Sequence, residues 1–140
     1  MTVRSAQAHW EGSLVEGKGE VEFLNSTLGS VEVDWRNRSG EPEGKTSPEE
    51  LIAAAHSTCY SMALSHALAG NGTPPASVDT RADVTFVPGE GITGIVLTVR
   101  AAVPGLSAED FDRFAQEAKT GCPVSAALAG TKIELDAALV

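Results

Sequence analysis

The chain has 140 residues, of which 42% are apolar, 21% charged and 5% aromatic. One globular domain is therefore the simplest organisation, and its core must rest on Ala, Val, Leu and Ile. Ten Lys and Arg face nineteen Asp and Glu, and the formal charge of −9 argues against electrostatic binding of nucleic acid or anionic lipid, both of which it would repel.

Residues 3–36 read as strands: "GEVEFL" and "SVEVDW" alternate apolar and polar residues around the turn material "NSTLGS". The N-terminal "MTVRSAQAHWEG" has no apolar run after its positive charge and does not read as a secretory signal, so the cytosol is the expected location. Residues 37–46, "NRSGEPEGKT", read as a polar loop. A helix is then expected over 47–70, roughly 33 Å long at 1.5 Å per residue. Ser47 can cap it, Pro48 suits its first position, and Glu50 completes an S-x-x-E capping box. Glu49 and Glu50 lie where the helix dipole favours negative charge.

Leu51 to Ala69 contains no Lys, Arg, Asp or Glu. His56, Ser57, Thr58, Ser61, Ser65 and His66 make this stretch too polar for lipid, so it reads as a core helix. A helix with apolar residues almost all round must be covered on several sides, which points to a second subunit. Farther on, "VDTRADVTFV" and "GITGIVLTVRAAV" form a hairpin around "PGEG". "SAEDFDRFAQEAKTG" reads as an amphipathic helix capped by Ser107, with Phe111, Phe114, Ala115 and Ala118 as its apolar stripe and Gly121 at its end. "CPVSAALAG" is a short helical turn and "TKIELDAAL" a last strand, an order that indicates α+β.

Chemistry rests on the two cysteines, Cys59 and Cys122, since stable disulfides are rare in a reducing compartment. On local grounds Cys59 reads as a small buried hydrophobe. Cys122 precedes Pro123 at a helix start, where the dipole and free N–H groups lower a thiol pKa from about 8.5. It is therefore the more ionised thiol, unless a cation reaches Cys59 through the fold. Arg36, Arg38 and Lys45 are the nearby candidates. His56, one turn before Cys59, leaves open a Cys–His hydrolytic pair or half of a zinc site with Cys122. Neither an oxyanion hole nor a fourth ligand can be read, and His9 and His66 carry no role. The glycines of "GEGITG" lack the strand-to-helix context of a phosphate loop.

Five segments, "QAHWEG", "SPEELIAAAHSTCYSMAL", "SVDTRADV", "AVPGLSAEDF" and "AKTGCPVSAALAG", together resemble the OsmC/Ohr family of thiol peroxidases, over nearly the whole chain. The resemblance implies an intertwined homodimer with two long central helices between antiparallel sheets, built from a single domain over 1–140. It implies a peroxidatic Cys59, a resolving Cys122 and a catalytic Glu49 that orients an arginine. Ten residues apart on one helix, Glu49 and Cys59 are separated by about 15 Å and roughly 80°, so the glutamate is expected to serve the thiol of a partner chain. Arg38 best fits that arginine and Arg36 competes with it, because the loop before "SPEEL" varies in length.

In the implied reaction the Cys59 thiolate attacks a peroxide oxygen, becomes a sulfenic acid, and condenses with Cys122 into a disulfide. The apolar surround suits organic hydroperoxides better than hydrogen peroxide. No cofactor or metal is implied, only an external dithiol reductant such as a lipoyl group. A dimeric protein that binds small apolar ligands and carries inert thiols, or a hydrolase acylated at Cys59, are the alternatives.

Overall fold

A computed structural model describes all residues, Met1–Val140, and divides into two compact units, 1–51 and 52–140, joined within one continuous helix.

The first unit holds an antiparallel three-stranded sheet, β1 (Ala6–Glu11), β2 (Lys18–Phe23) and β3 (Ser30–Val33), in the order β1-β2-β3. The register aligns Ala8 with Val21 and Val21 with Val31, while Gln7, Glu22 and Ser30 form the next row. Alternation has therefore produced one apolar face and one polar face. The apolar face is poorly covered: β1 is exposed along its length, and Val21, Phe23, Val31 and Val33 are only half-buried. Gly19 lies opposite Trp10, and a Cβ there would fall 2.5 Å from the indole, so only glycine lets the ring lie flat across β2.

The loop expected over 37–46 is partly helical. A short helix, α1 (Trp35–Ser39), starts at Asp34, whose carboxylate accepts from the Asn37 N–H at 2.8 Å. The strand run accordingly ends at Val33 rather than at residue 36. An aspartate N-cap followed six residues later by Gly40 is the local reason.

Helix α2 (Pro48–Gly70) begins where expected, with Ser47 Oγ accepting from the Glu50 N–H at 3.2 Å. The reciprocal half of the capping box is not made, because the Glu50 carboxylate accepts from Thr46 Oγ1 at 2.6 Å instead.

The second unit holds a sheet in the order β4-β5-β6, from β4 (Ser77–Val87), β5 (Gly91–Ala102) and β6 (Ile133–Leu139). The hairpin of β4 and β5 is antiparallel, but β6 runs parallel to β5, so the expectation of purely antiparallel sheets is corrected here. The reason lies in the connection. Helices α3 (Ala108–Gly121) and α4 (Pro123–Ala127) intervene, and such a crossover returns the chain in the same direction.

Rows of side chains such as Ala82, Leu97 and Leu135 share one face of the sheet. That face meets Tyr60, Leu64 and Leu68 of α2 and Phe111, Phe114, Ala115 and Ala118 of α3, all of them buried. The α3 stripe and its Ser107 cap are those read from the sequence. Each fully buried aliphatic or aromatic side chain of this kind contributes about 1.5–3 kcal/mol. Opposite the buried line His56, Tyr60, Leu64, Leu68, helix α2 exposes Ala54, Ala55, Thr58, Met62 and His66, with Met62 at 68%. No helix is long and apolar enough to cross a membrane.

Candidate active site

Three hydrogen bonds hold the cysteine turn of α2 within the second unit. Tyr60 Oη donates to the Ala115 carbonyl of α3 at 2.9 Å, and Ser61 Oγ donates to Thr80 Oγ1 of β4 at 2.7 Å. The third joins His56 Nε2 to Ser125 Oγ of α4, also at 2.7 Å. Burial pushes the Tyr60 hydroxyl far above its usual range, with the nearby charges of Cys122 and Asp112 adding to the effect.

A helix so fixed cannot turn about its axis, and Cys59 is presented to one place only. That place is the start of α4, where the Cys122 sulfur lies 3.0 Å from the Cys59 sulfur, both thiols being free. Cys122 is fully buried and Cys59 half-buried.

The two sulfurs have different surroundings. Burial pushes the Cys59 thiol up, and the proton shared with Cys122 adds to this; only the Val124 N–H opposes it. Burial also pushes Cys122 up, but it is outweighed by the Cys59 thiol, by the amide and hydroxyl of Ser125 and by the Val124 amide, so that Cys122 lies below its ordinary value. Cys122 is the N-cap residue of α4, with Pro123 at the first helical position. Its side chain closes no capping hydrogen bond, yet the free amides of the first turn face its sulfur and favour the thiolate. The local expectation that Cys122 is the more acidic thiol agrees with this arrangement.

Within residues 52–140 the cations that could activate Cys59 are largely engaged elsewhere: Arg81 with Asp83, Arg100 with Asp136, Arg113 with Asp110, and Lys132 with Glu134.

The arginine loop belongs to the first unit and is organised around Asn37, which sequence reading passed over. Asn37 is buried, donates to Asp34 through Nδ2 at 2.8 Å, and accepts from the Glu43 and Lys45 amides at 2.7 and 3.3 Å. Asp34 also binds Lys45 Nζ at 3.0 Å. The Asn37 side chain and amide, followed by Lys45, pull the Asp34 carboxyl down to about 2.

The loop presents two arginines differently. Arg38 Nε donates to both Glu49 oxygens, at 3.0 and 3.3 Å, and its Nη2 lies 3.0 Å from Oε1. The Glu49 side chain is 8% exposed and that of Arg38 32%. Arg36 pairs with Glu43 at 2.9 Å in the open, with 76% and 51% of the two side chains exposed. Glu49 thus holds Arg38, and Arg36 is left to Glu43.

His56 does not form the hydrolytic pair left open by the sequence. Its Nε2 is committed to Ser125, its Nδ1 has no partner, and burial holds its pKa below the ordinary value. No group of three or more His, Cys, Asp and Glu side chains gathers to hold a metal. His9 makes only an exposed contact with Glu11. Ser125, like Asn37, escaped the sequence reading; its one signal is its place in the first turn after Pro123.

Two thiols in contact, one of them at a helix N-terminus and both on a sheet-backed helical core, define a dithiol redox protein. The chain belongs to the family described as OsmC-like protein, whose model matches residues 40–136. It is 46% identical over 132 residues to the peroxiredoxin OsmC of Escherichia coli, covering 91% of this chain and 92% of that protein. An organic hydroperoxide resistance protein of Xanthomonas axonopodis pv. citri is 30% identical over 98 residues, 68% of each chain. The fold matches the crystal structure of an organic hydroperoxide resistance protein OsmC from Legionella pneumophila, with a TM-score of 0.74 and 25% identity over 99% of this chain and 98% of that one.

Proposed function

We infer that the chain is a thiol-dependent hydroperoxide reductase, acting on organic hydroperoxides in preference to hydrogen peroxide. The observation that carries this is the 3.0 Å separation of Cys59 and Cys122. Cys59 is the attacking thiol, because it is the half-buried member of the pair and the only one a substrate can approach. Its thiolate attacks the terminal peroxide oxygen, the O–O bond breaks, and the alkoxide departs and takes a proton from solvent to become the alcohol, leaving a Cys59 sulfenic acid. Cys122 then displaces hydroxide to form the disulfide. An external dithiol, such as a dihydrolipoyl group, restores both thiols, and no resident cofactor is needed. Both thiols stay reduced between cycles in the cytosol.

Cys59 needs a cation, and Arg38 supplies it, lowering the thiol pKa and stabilising charge that develops on the peroxide. Glu49 fixes the guanidinium. Along one helix Glu49 and Cys59 are about 15 Å apart and roughly 80° different in direction, so the glutamate serves a thiol of another copy. The working form is a homodimer, with the whole chain 1–140 acting as one domain. Two copies of α2 cross near Ala54, where Ala53, Ala54 and Ala55 permit close approach. The exposed face of α2 and the uncovered apolar face of the first sheet support this pairing.

The test is steady-state consumption of cumene hydroperoxide with dihydrolipoamide, thioredoxin and glutathione compared side by side. Wild type consumes peroxide with at least one dithiol, and Cys59→Ser consumes none. A complete first turnover in Cys59→Ser would reverse the assignment of the two thiols.

A further inference from the structure

Two buried polar side chains have no part in the reaction just described. His56 is fully buried, and its Nε2 reaches Ser125 Oγ at 2.7 Å, while Nδ1 is buried with no partner at all. Ser125 is itself 5% exposed. Burying an imidazole with one nitrogen unpaired costs free energy, and a pair of apolar side chains would tie α2 to α4 without that cost. The place of the pair is specific. Ser125 is the third residue of the helix that Cys122 caps, so the two share its first turn, and Ser125 lowers the Cys122 pKa; the Cys122 sulfur lies 3.0 Å from Cys59. The His56–Ser125 pair is therefore placed on the first turn of α4, beside the Cys122 sulfur that meets the attacking thiol.

The unpaired nitrogen fixes the direction of the hydrogen bond. An orphaned buried N–H is rarer and costlier than an orphaned acceptor, so the bare Nδ1 is the lone-pair nitrogen and Nε2 carries the proton. His56 then donates to Ser125 Oγ. A serine hydroxyl has one proton, and with its oxygen already accepting from His56 that proton is left to be donated to a thiolate at the start of the same helix. Burial keeps His56 neutral, so it acts as a dipole rather than as an acid.

We propose that His56, acting through the Ser125 hydroxyl, is a positioning residue that stabilises the Cys122 thiolate for its attack on the Cys59 sulfenic acid. This rests on the resolving role assigned to Cys122 above. In the step, the Cys122 thiolate forms the S–S bond, the S–O bond of the sulfenic acid breaks, and hydroxide leaves and takes a proton from solvent to become water. Cys122 is oxidised and the Cys59 sulfur is reduced to the common disulfide level. The other titratable groups that face Cys122 are Cys59 and Tyr60, both on α2; Tyr60 stays protonated, and Asp112 of α3 bears on Tyr60.

The decisive measurement needs no peroxide. In Cys59→Ala protein, Cys122 is the only thiol, and its titration is followed by ultraviolet thiolate absorbance against pH. Adding Ser125→Ala or His56→Leu should cut the thiolate fraction at a given pH about tenfold, the worth of one hydrogen bond to a charged group. Adding His56→Gln, whose amide places a donor near the Nε2 position, should preserve it.

In protein with both cysteines, Ser125→Ala should slow disulfide formation about tenfold more than it slows the first step. The proposal is overturned if Ser125→Ala and His56→Leu lower the thermal midpoint but leave the Cys122 titration in place, or if His56→Gln behaves as His56→Leu. Failure of the peroxidase reading would appear separately, as absence of the first step with the titration shifts intact.

Discussion

Glu49→Gln removes a charge and changes almost nothing else, which makes it a sharp probe of how Arg38 is held. Opposite charges 3.0 Å apart attract by about 5 kcal/mol at an effective dielectric of about 20, before the cost of desolvating both is deducted. What remains for a carboxylate 8% exposed and a guanidinium 32% exposed is about 1.5–3 kcal/mol, the range of a hydrogen bond to a charged group. Glu43→Gln is the internal control. It breaks an ion pair of nearly the same length, 2.9 Å, but with side chains 76% and 51% exposed, and such pairs are worth about 0–1 kcal/mol. If Arg38 is the cation of Cys59, stopped-flow reaction of reduced protein with cumene hydroperoxide should slow about 10- to 100-fold in Glu49→Gln. In Glu43→Gln it should slow less than about fivefold. The thermal midpoint should fall by several degrees in the first variant and barely move in the second. Equal effects of the two substitutions would refute the argument from burial, and an unchanged rate in Glu49→Gln would remove Glu49 from the mechanism.

One equivalent of cumene hydroperoxide should give wild-type chains an internal Cys59–Cys122 bond, visible by non-reducing mass spectrometry; covalently cross-linked dimers alone would contradict it. Cys122→Ser should consume about one equivalent per chain and then stall or over-oxidise at Cys59, an outcome read from the same spectra. Arg38→Ala should raise the pH at which Cys59 becomes reactive toward an alkylating agent, with Arg36→Ala much milder, and the reverse ranking would place the cation on Arg36. Mixing Cys59→Ser with Glu49→Ala protein under subunit exchange should restore activity through heterodimers with one intact site. Exchange confirmed by native mass spectrometry without recovered activity would exclude a site shared between chains.

The elements legible in the sequence are those whose signals are local. Ser107 and Ser47 announced α3 and α2, the apolar spacing of Phe111, Phe114, Ala115 and Ala118 gave the buried face of α3, and the glycines at 89 and 91 marked the hairpin. Helix α1 was hidden because five residues offer no periodicity to read, although Asp34 was an available cap. The parallel pairing of β6 was hidden for a different reason: strand direction depends on the crossover through α3 and α4, and alternation is the same for either direction. At the site both thiols stood out as residues, and the helix start at Pro123 identified the more acidic one. The sequence favoured Arg38 over Arg36 only through the resemblance; the Arg38–Glu49 pairing itself spans eleven residues and has no local signal. The partnership of His56 with Ser125 spans 69 residues and leaves no trace in either local sequence.

Contact between the two sulfurs before any oxidant arrives has a consequence for survival under heavy oxidant load. Over-oxidation is a competition for one short-lived sulfenic acid, between a second peroxide from solution and the neighbour already in place. Well-oriented intramolecular partners act as if present at about 10⁵ M or more, a concentration no dissolved peroxide approaches. Closing the remaining gap from 3.0 Å to a bonded length of about 2 Å takes about 1 Å of motion. Excess substrate therefore leaves the chain waiting as a recoverable disulfide, and the limit on how much oxidant it can clear passes from the durability of its own cysteine to the supply of reducing equivalents.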